Sequence, residues 1–505
     1  MDSSKLKTLF IIVTALACSL YLGIAAATDQ REVFVWVGGG LFLTLCLLLG
    51  KHVWLLIPAT LPLVGSLNAI PGSPAPWHLM TAVTGAFFLL RWLTRKQALR
   101  FHWTSLDTAI LLVGLTILQA LIRNPVGFSI FGGDVSGGKP YFIAAVAITA
   151  YVLISMADTN MKTWRLAVIL YISFAFADAI IGGISGFYPE FAGFVIRFYS
   201  NVSLEAATSS QYDSNAIDNR ITVLTQLGGI SAWVATTMWR PISALDIRKP
   251  WRMLVAALAL AATGLGGFRS NASVTYVHFI IGSLLRRKPL DVIFVSFLGV
   301  AGLFFVIVAI PTHTLPYSIQ RILTIVPGFD ARADIAANAE DSTEMRFNIW
   351  RRVLSSDQYI HNKYLGDGFQ YSAREMAARE AMRLHDYRMA GGLTTEDLLM
   401  ITGSYHGFHV ETIRFTGVIG LIAATGVLIV LAVHAWRNIA WYRGTPYWNY
   451  VMFICMPMLI YPATYWLIFG EYKGQFLQLI AMAGLVKLLH VLKSTDMQGS
   501  VNQKL

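Results

Sequence analysis

The sequence predicts an all-α, polytopic helical membrane protein of roughly 12–14 transmembrane helices with one large helical loop. Three observations lead there. Of the 505 residues, 55% are hydrophobic and only 13% are charged, about half the charged share of a soluble domain. Apolar runs of roughly 17–25 residues recur from end to end, each long enough to cross a bilayer. They are interrupted by one long polar stretch, 312–408. A transmembrane β-barrel would instead alternate at period two, and these runs do not. The mean hydropathy of +0.57 agrees with spans throughout the chain.

The candidate spans are 8–27, 33–50, 52–68, 76–93, 107–122, 141–157, 164–187, 221–239, 251–264, 272–285, 289–311, 411–434, 447–468 and 474–492. The run at 8–27 lacks a small-x-small cleavage site and is followed by many spans, so it reads as the first span. Only Gly50-Lys51 divides the second from the third. The chain therefore falls into N-terminal helices (1–311), a large loop (312–408) and C-terminal helices (409–505).

Basic residues alternate between the two sides. One side holds 21 of the 39 Lys and Arg, among them Arg91, Arg95, Arg240, Arg248, Arg286, Lys288, Arg437 and Lys487. The short loops of the other side hold seven. The positive-inside rule makes the first side cytoplasmic, with both termini inside. The net charge of +11 is then topological and does not suggest nucleic acid. Cys18, Cys46 and Cys455 all lie in apolar runs, which excludes a disulfide framework or a CxxC metal site.

The long loop is near neutral, with 10 basic and 12 acidic residues. Residues 341–354 place Met345, Ile349, Trp350 and Leu354 on one helix face, with Asp341 and Ser342 as candidate caps. Residues 372–390 are rich in good helix formers and amphipathic, and Gly391-Gly392 ends them. No fixed-period repeat and no inverted repeat of the transporter kind is visible.

Four external arginines stand out by position: Arg220, Arg269, Arg346 and Arg414. A guanidinium stays charged and matches phosphate oxygens with a planar fork. Several converging near the outer leaflet would suit a lipid-linked pyrophosphate, and each singly reads as a snorkelling or capping residue. His406 and His409 stand where the chain returns to the membrane. His406 titrates near neutral pH and is a candidate base for a hydroxyl. No carboxylate or thiol set completes a metal site around the pair. Glu411 reads as a partner of Arg414 at i and i+3. Asp178, inside an apolar run, reads either as functional or as a helix–helix hydrogen-bond partner. Asp29 and Glu32 in the first external loop suit a rival design, in which a first-loop acid is catalytic.

The chain resembles the O-antigen ligase and polymerase superfamily of bacterial envelope enzymes. That family carries His-Asn followed, eleven residues after the His, by Gly-x-x-Gly. Here His406 precedes Gly417 and Gly420 at that spacing, with Gly407 in place of Asn and Phe415 where Glu is common. Arg346, Trp350 and the turn Gly366-Asp367-Gly368-Phe369 match a second element. Arg269, in Phe268-Arg269-Ser270, matches the arginine of a third, and Arg220, opening a span, matches a fourth. The motifs cover 215–430.

The resemblance implies a GT-C-like helical fold with a periplasmic loop, in the bacterial inner membrane. It implies a donor glycan on undecaprenyl pyrophosphate and a glycan or lipid acceptor. It also implies Arg220, Arg269 and Arg346 on the pyrophosphate, His406 as base, and neither metal nor other cofactor. His409, Glu411, Arg414 and Asp178 would be supporting residues. The alternative class is a polysaccharide flippase or other transporter, which has as many spans but would be expected to have short loops throughout.

Overall fold

The computed structural model describes residues 37, 39–40, 44–68, 70, 72–94, 101–126, 137–201, 222–326, 328–370, 375–377, 395–468 and 470–502. Span 8–27, part of 33–50, Asp29, Glu32, Arg220 and most of the helix expected over 372–390 lie outside them.

The chain is mostly helical. The long helices are α1 (Pro76–Leu93), α2 (Ser105–Arg123), α3 (Gly138–Ser155), α4 (Met161–Phe187), α5 (Thr222–Met238), α6 (Pro250–Gly266), α7 (Arg269–Leu285), α8 (Pro289–Ala309), α9 (Ala333–Ser355), α10 (Phe408–Trp441), α11 (Trp448–Leu467) and α12 (Leu477–Asn502). Among the described residues, seven helical stretches are long and apolar enough to cross a membrane. They lie in α2, α3, α4, α8, α10 and α11 and over Tyr472–Ser494, and the chain thus reads as a multi-pass membrane protein.

The helix starts follow from local chemistry. Proline, which needs no backbone donor, takes the first turn of α1, α6 and α8. Asn160 caps α4 by accepting from the Thr163 amide at 3.0 Å. The Asp107 carboxylate accepts from the Thr104 amide at 2.6 Å, closing a capping box on α2.

Two expectations need correction. Gly50-Lys51 does not divide two spans: Thr44–Thr60 is one short apolar helical stretch across that point. Its last turn, Leu56–Thr60, is followed by Pro62, which cannot continue a helix, so the stretch stops well before 68. The loop helix α9 begins at Ala333, so Asp341 and Ser342 are interior and do not cap it. Alanines at 333, 336 and 337 carry helical propensity through the earlier turn. Its apolar face is as expected. Ile349 and Val353 are fully buried against Ile360, Met400, Tyr405 and Val410, with Met345, Trp350 and Leu354 at the margin.

The bundle core lies where α2, α3, α10, α11 and α12 pack, around Tyr151, Trp164, Phe453, Phe476 and Leu485. The window of α8, by contrast, is unburied, and Phe297, Val300, Phe304 and Val308 face outward, as a lipid-facing helix requires. Its anchor is Asp291, fully buried and held by Arg240 through bonds of 2.7 and 3.1 Å. Lys487, inside the span expected over 474–492, was counted among the basic residues of the cytoplasmic side. It is completely buried in α12, where its ammonium donates to Asp107 at 2.6 Å beside the Tyr151 hydroxyl at 2.7 Å. Paired, the two charges cross the interior without an orphan. Lys487→Met leaves Asp107 unpaired and should cost about 3–5 kcal/mol. A thermal melt of the detergent-purified protein checks this, and the double variant Lys487→Met/Asp107→Leu should recover part of the loss.

A two-stranded antiparallel pairing, β1 (Ser66–Leu67) with β2 (Tyr199–Ser200), sets Ser66 opposite Ser200. Asp178, buried in α4, anchors it. The Asp178 carboxylate accepts from the Tyr199 hydroxyl at 2.7 Å and from the Asn201 side-chain amide at 3.0 Å, while the Gly65 amide donates to the Tyr199 oxygen at 3.0 Å.

Candidate functional site

The long loop meets the bundle at a break in α10. Gly417 has φ 75° and ψ −177°, a conformation essentially restricted to glycine, in the middle of an otherwise helical run. Such a break frees backbone groups that a bilayer cannot satisfy. Here the returning loop takes them up. The Asp367 amide donates to the Arg414 carbonyl at 2.6 Å and the Gly368 amide to the Phe415 carbonyl at 3.1 Å. On the other side of the break, the Val418 amide donates to the Lys363 carbonyl at 2.9 Å and the Ile419 amide to the Tyr364 carbonyl at 3.4 Å.

The approach is close on both sides. A Cβ on Gly417 would fall on the Tyr364 carbonyl, and one on Gly366 would lie 2.5 Å from the Thr416 nitrogen. The Gly366-to-Phe369 turn and the glycine pair, separate motifs in the sequence, are thus two halves of one splint. The Asp367 carboxylate shapes the turn from within, accepting from the amides of His361 at 2.8 Å and Asn362 at 2.9 Å. From α2, Gln119 donates to the Leu365 carbonyl at 2.8 Å, Arg123 to Leu365 at 2.9 Å and to Gly366, and Asn124 to Asp367 at 2.9 Å. The Tyr141 hydroxyl accepts from the Phe369 amide at 3.1 Å.

Just before α10, the chain turns at His406, whose φ of 52° is left-handed. Histidine is among the few side chains enriched there. The imidazole is half-buried. Burial lowers its pKa below the ordinary histidine value, and the positive charge of Arg346 lowers it further. Arg346 comes from α9. Arg269, the first residue of α7, donates to the Thr343 hydroxyl at 2.9 Å. Thr343 and Arg346 are three apart on one helix and share a face. Three of the expected residues, Arg269, Arg346 and His406, are therefore gathered by α9 at the loop end of the bundle. Arg220 lies outside the described residues.

The other candidates have different partners. Arg414 is buried. It donates to the Tyr405 hydroxyl at 2.8 Å and pairs with Glu375, so it ties a segment of the long loop to α10. Glu411 does not pair with Arg414, which corrects the i, i+3 expectation. It accepts from the Tyr472 amide at 3.0 Å instead, satisfying the start of the π-helical turn Tyr472–Phe476. Both partners, Glu375 and Tyr472, come from distant sequence, which short-range spacing does not reveal. His409 is held by aromatic rings, edge-on to Trp350 at 4.6 Å and stacked on Trp466 at 5.8 Å. Asp178 is bonded to Tyr199 and Asn201.

Four residues of the region were not singled out as site residues from sequence: Thr343, Trp350, Arg123 and Lys473. Thr343 had a signal, three residues before Arg346. Arg123 and Lys473 are two of the seven cations that the sequence placed in the short loops opposite its basic side. Lys473 places its ammonium 4.1 Å from the centre of the Phe415 ring. A cation over an aromatic face at position 415 has no sequence signature.

No protein-family model matches the chain, and no curated protein matches it.

Proposed function

We propose that the chain is a membrane glycosyltransferase of O-antigen ligase type. It transfers or polymerises a glycan from undecaprenyl pyrophosphate onto an acceptor hydroxyl, at the periplasmic face of a bacterial inner membrane. One observation carries the reading: α9 brings Arg269, bonded to Thr343, and Arg346, whose charge acts on His406, to where a splinted loop meets the bundle.

Each group has a step it suits. The neutral His406 accepts the acceptor hydroxyl's proton as that oxygen attacks the anomeric carbon. The bond from that carbon to the pyrophosphate oxygen breaks, and its electron pair leaves with the pyrophosphate. Arg269 and Arg346 stabilise the charge that develops there. Attack from the face opposite the leaving group inverts the anomeric centre. The pyrophosphate is already a good leaving group, so no nucleotide or further activation enters the scheme. Arg220 would add a third cation.

Mass spectrometry of undecaprenyl-linked glycans from a deletion strain tests this. Single repeat units accumulating on the periplasmic leaflet identify a polymerase. Long polymer stranded on the carrier identifies a ligase. Units held on the cytoplasmic leaflet identify a flippase and overturn the proposal.

A further inference from the structure

We propose that Trp350 is a positioning residue for His406: one indole clamps the backbone on both sides of it. This rests on the role given to His406 above. On the N-terminal side, the Trp350 indole N–H donates to the Tyr405 carbonyl at 2.8 Å. On the C-terminal side, the indole occupies the space that a side chain at 407 would need. A Cβ there would lie 2.7 Å from both Cε2 and Nε1 of the ring. Between these contacts His406 holds its left-handed φ of 52°, a conformation that costs a non-glycine residue energy unless its surroundings enforce it.

The clamp is itself braced. Phe347 meets the indole edge-on at 5.3 Å, and His409 does so at 4.6 Å, backed by Trp466. Trp350 also stands one helical turn beyond Arg346, on the same face of α9. The helix that carries the phosphate-facing cation thus carries the clamp for the base. The separation between base and cation is set by one rigid turn, not by a loop. Gly407 follows from this arrangement. Where the resembled family has Asn beside its histidine, this chain has an indole filling that place.

The test uses Trp350→Phe, which keeps an aromatic ring but removes the N–H, and Gly407→Ala, which drives a methyl into the indole. The readout is carbethoxylation of His406 by diethyl pyrocarbonate as a function of pH, followed by mass spectrometry of its peptide in the full-length protein. The reagent attacks neutral imidazole, so the midpoint reports protonation of His406 itself. Among the described residues, the charge facing His406 is Arg346 from α9, with Arg269 of α7 reaching the same face at Thr343; the titratable groups in the first turn of α10 are His409 and Glu411. None is altered by either variant. Loosening the clamp lets water reach the imidazole, so the midpoint should rise toward the ordinary histidine value in both variants. Transfer should fall about 100-fold in kcat with KM unchanged, the cost of displacing a catalytic group by about 1 Å. An unchanged midpoint in Trp350→Phe, with a melt like wild type, overturns the clamp. If the wild type transfers no glycan, the functional reading fails, and the midpoint shift still decides whether Trp350 positions His406.

Discussion

Replacement of His406 by asparagine is expected to lower glycan transfer by about 100- to 10,000-fold, the usual contribution of a positioned general base. Asparagine is the sharper variant because it tolerates the left-handed backbone at 406, whereas alanine adds strain there. His406→Ala should nevertheless show the same loss without loss of membrane expression. In the wild type the rate should fall as pH drops and His406 gains its proton. Burial and Arg346 both lower its pKa, so this acid limb should have its midpoint below the 6.5 of an ordinary histidine. At pH 7 the group is then neutral and able to accept. Activity retained in both variants would remove His406 from the mechanism, and Arg269 and Arg346 would be left as a binding site without a base.

Gly417→Ala is expected to undo the junction between loop and bundle. Its φ of 75° and ψ of −177° are strained by about 1–3 kcal/mol for any other residue. The added methyl would fall on the Tyr364 carbonyl, so the loop must withdraw. Withdrawal breaks four backbone hydrogen bonds, each contributing about 0.5–1.5 kcal/mol. The expected loss is about 3–9 kcal/mol of local stability. Hydrogen exchange at the amides of Asp367, Gly368, Val418 and Ile419 reads this directly. Those four should lose protection together. Protection kept at all four would show that the break does not depend on glycine.

The helices were legible in the sequence because hydropathy alone marks them. The bounds expected over 76–93 are those of α1, although α1 is not among the seven stretches apolar enough to cross a membrane, and those over 289–311 differ from α8 by two residues. Arg269, Arg346 and His406 were legible as residue types at marked positions. What joins them was not: the Arg269–Thr343 bond and the Trp350 clamp are made across 74 and 55 residues of sequence. Lys487 was misread for a related reason. A cation in an apolar run looks like a boundary until its partner, Asp107, 380 residues away, is in place. Glu411 and Arg414 fit a local rule but are held by distant partners instead, the Tyr472 amide and the Glu375 carboxylate.

The splint at Gly417 also bears on how the protein is made. Residues 363–368 leave the ribosome before α10 does, but they can only complete that helix once it is in the bilayer. Until then, two carbonyls and two amides at the break have no partner in a solvent that offers none. Newly inserted α10 is therefore unfinished, either straightened through Gly417 or hydrated at the break, and it matures when the loop docks. Completion of this helix thus waits on docking of the loop: a chain whose loop never reached the break would carry a defective span, and membrane quality control would have a concrete lesion to detect.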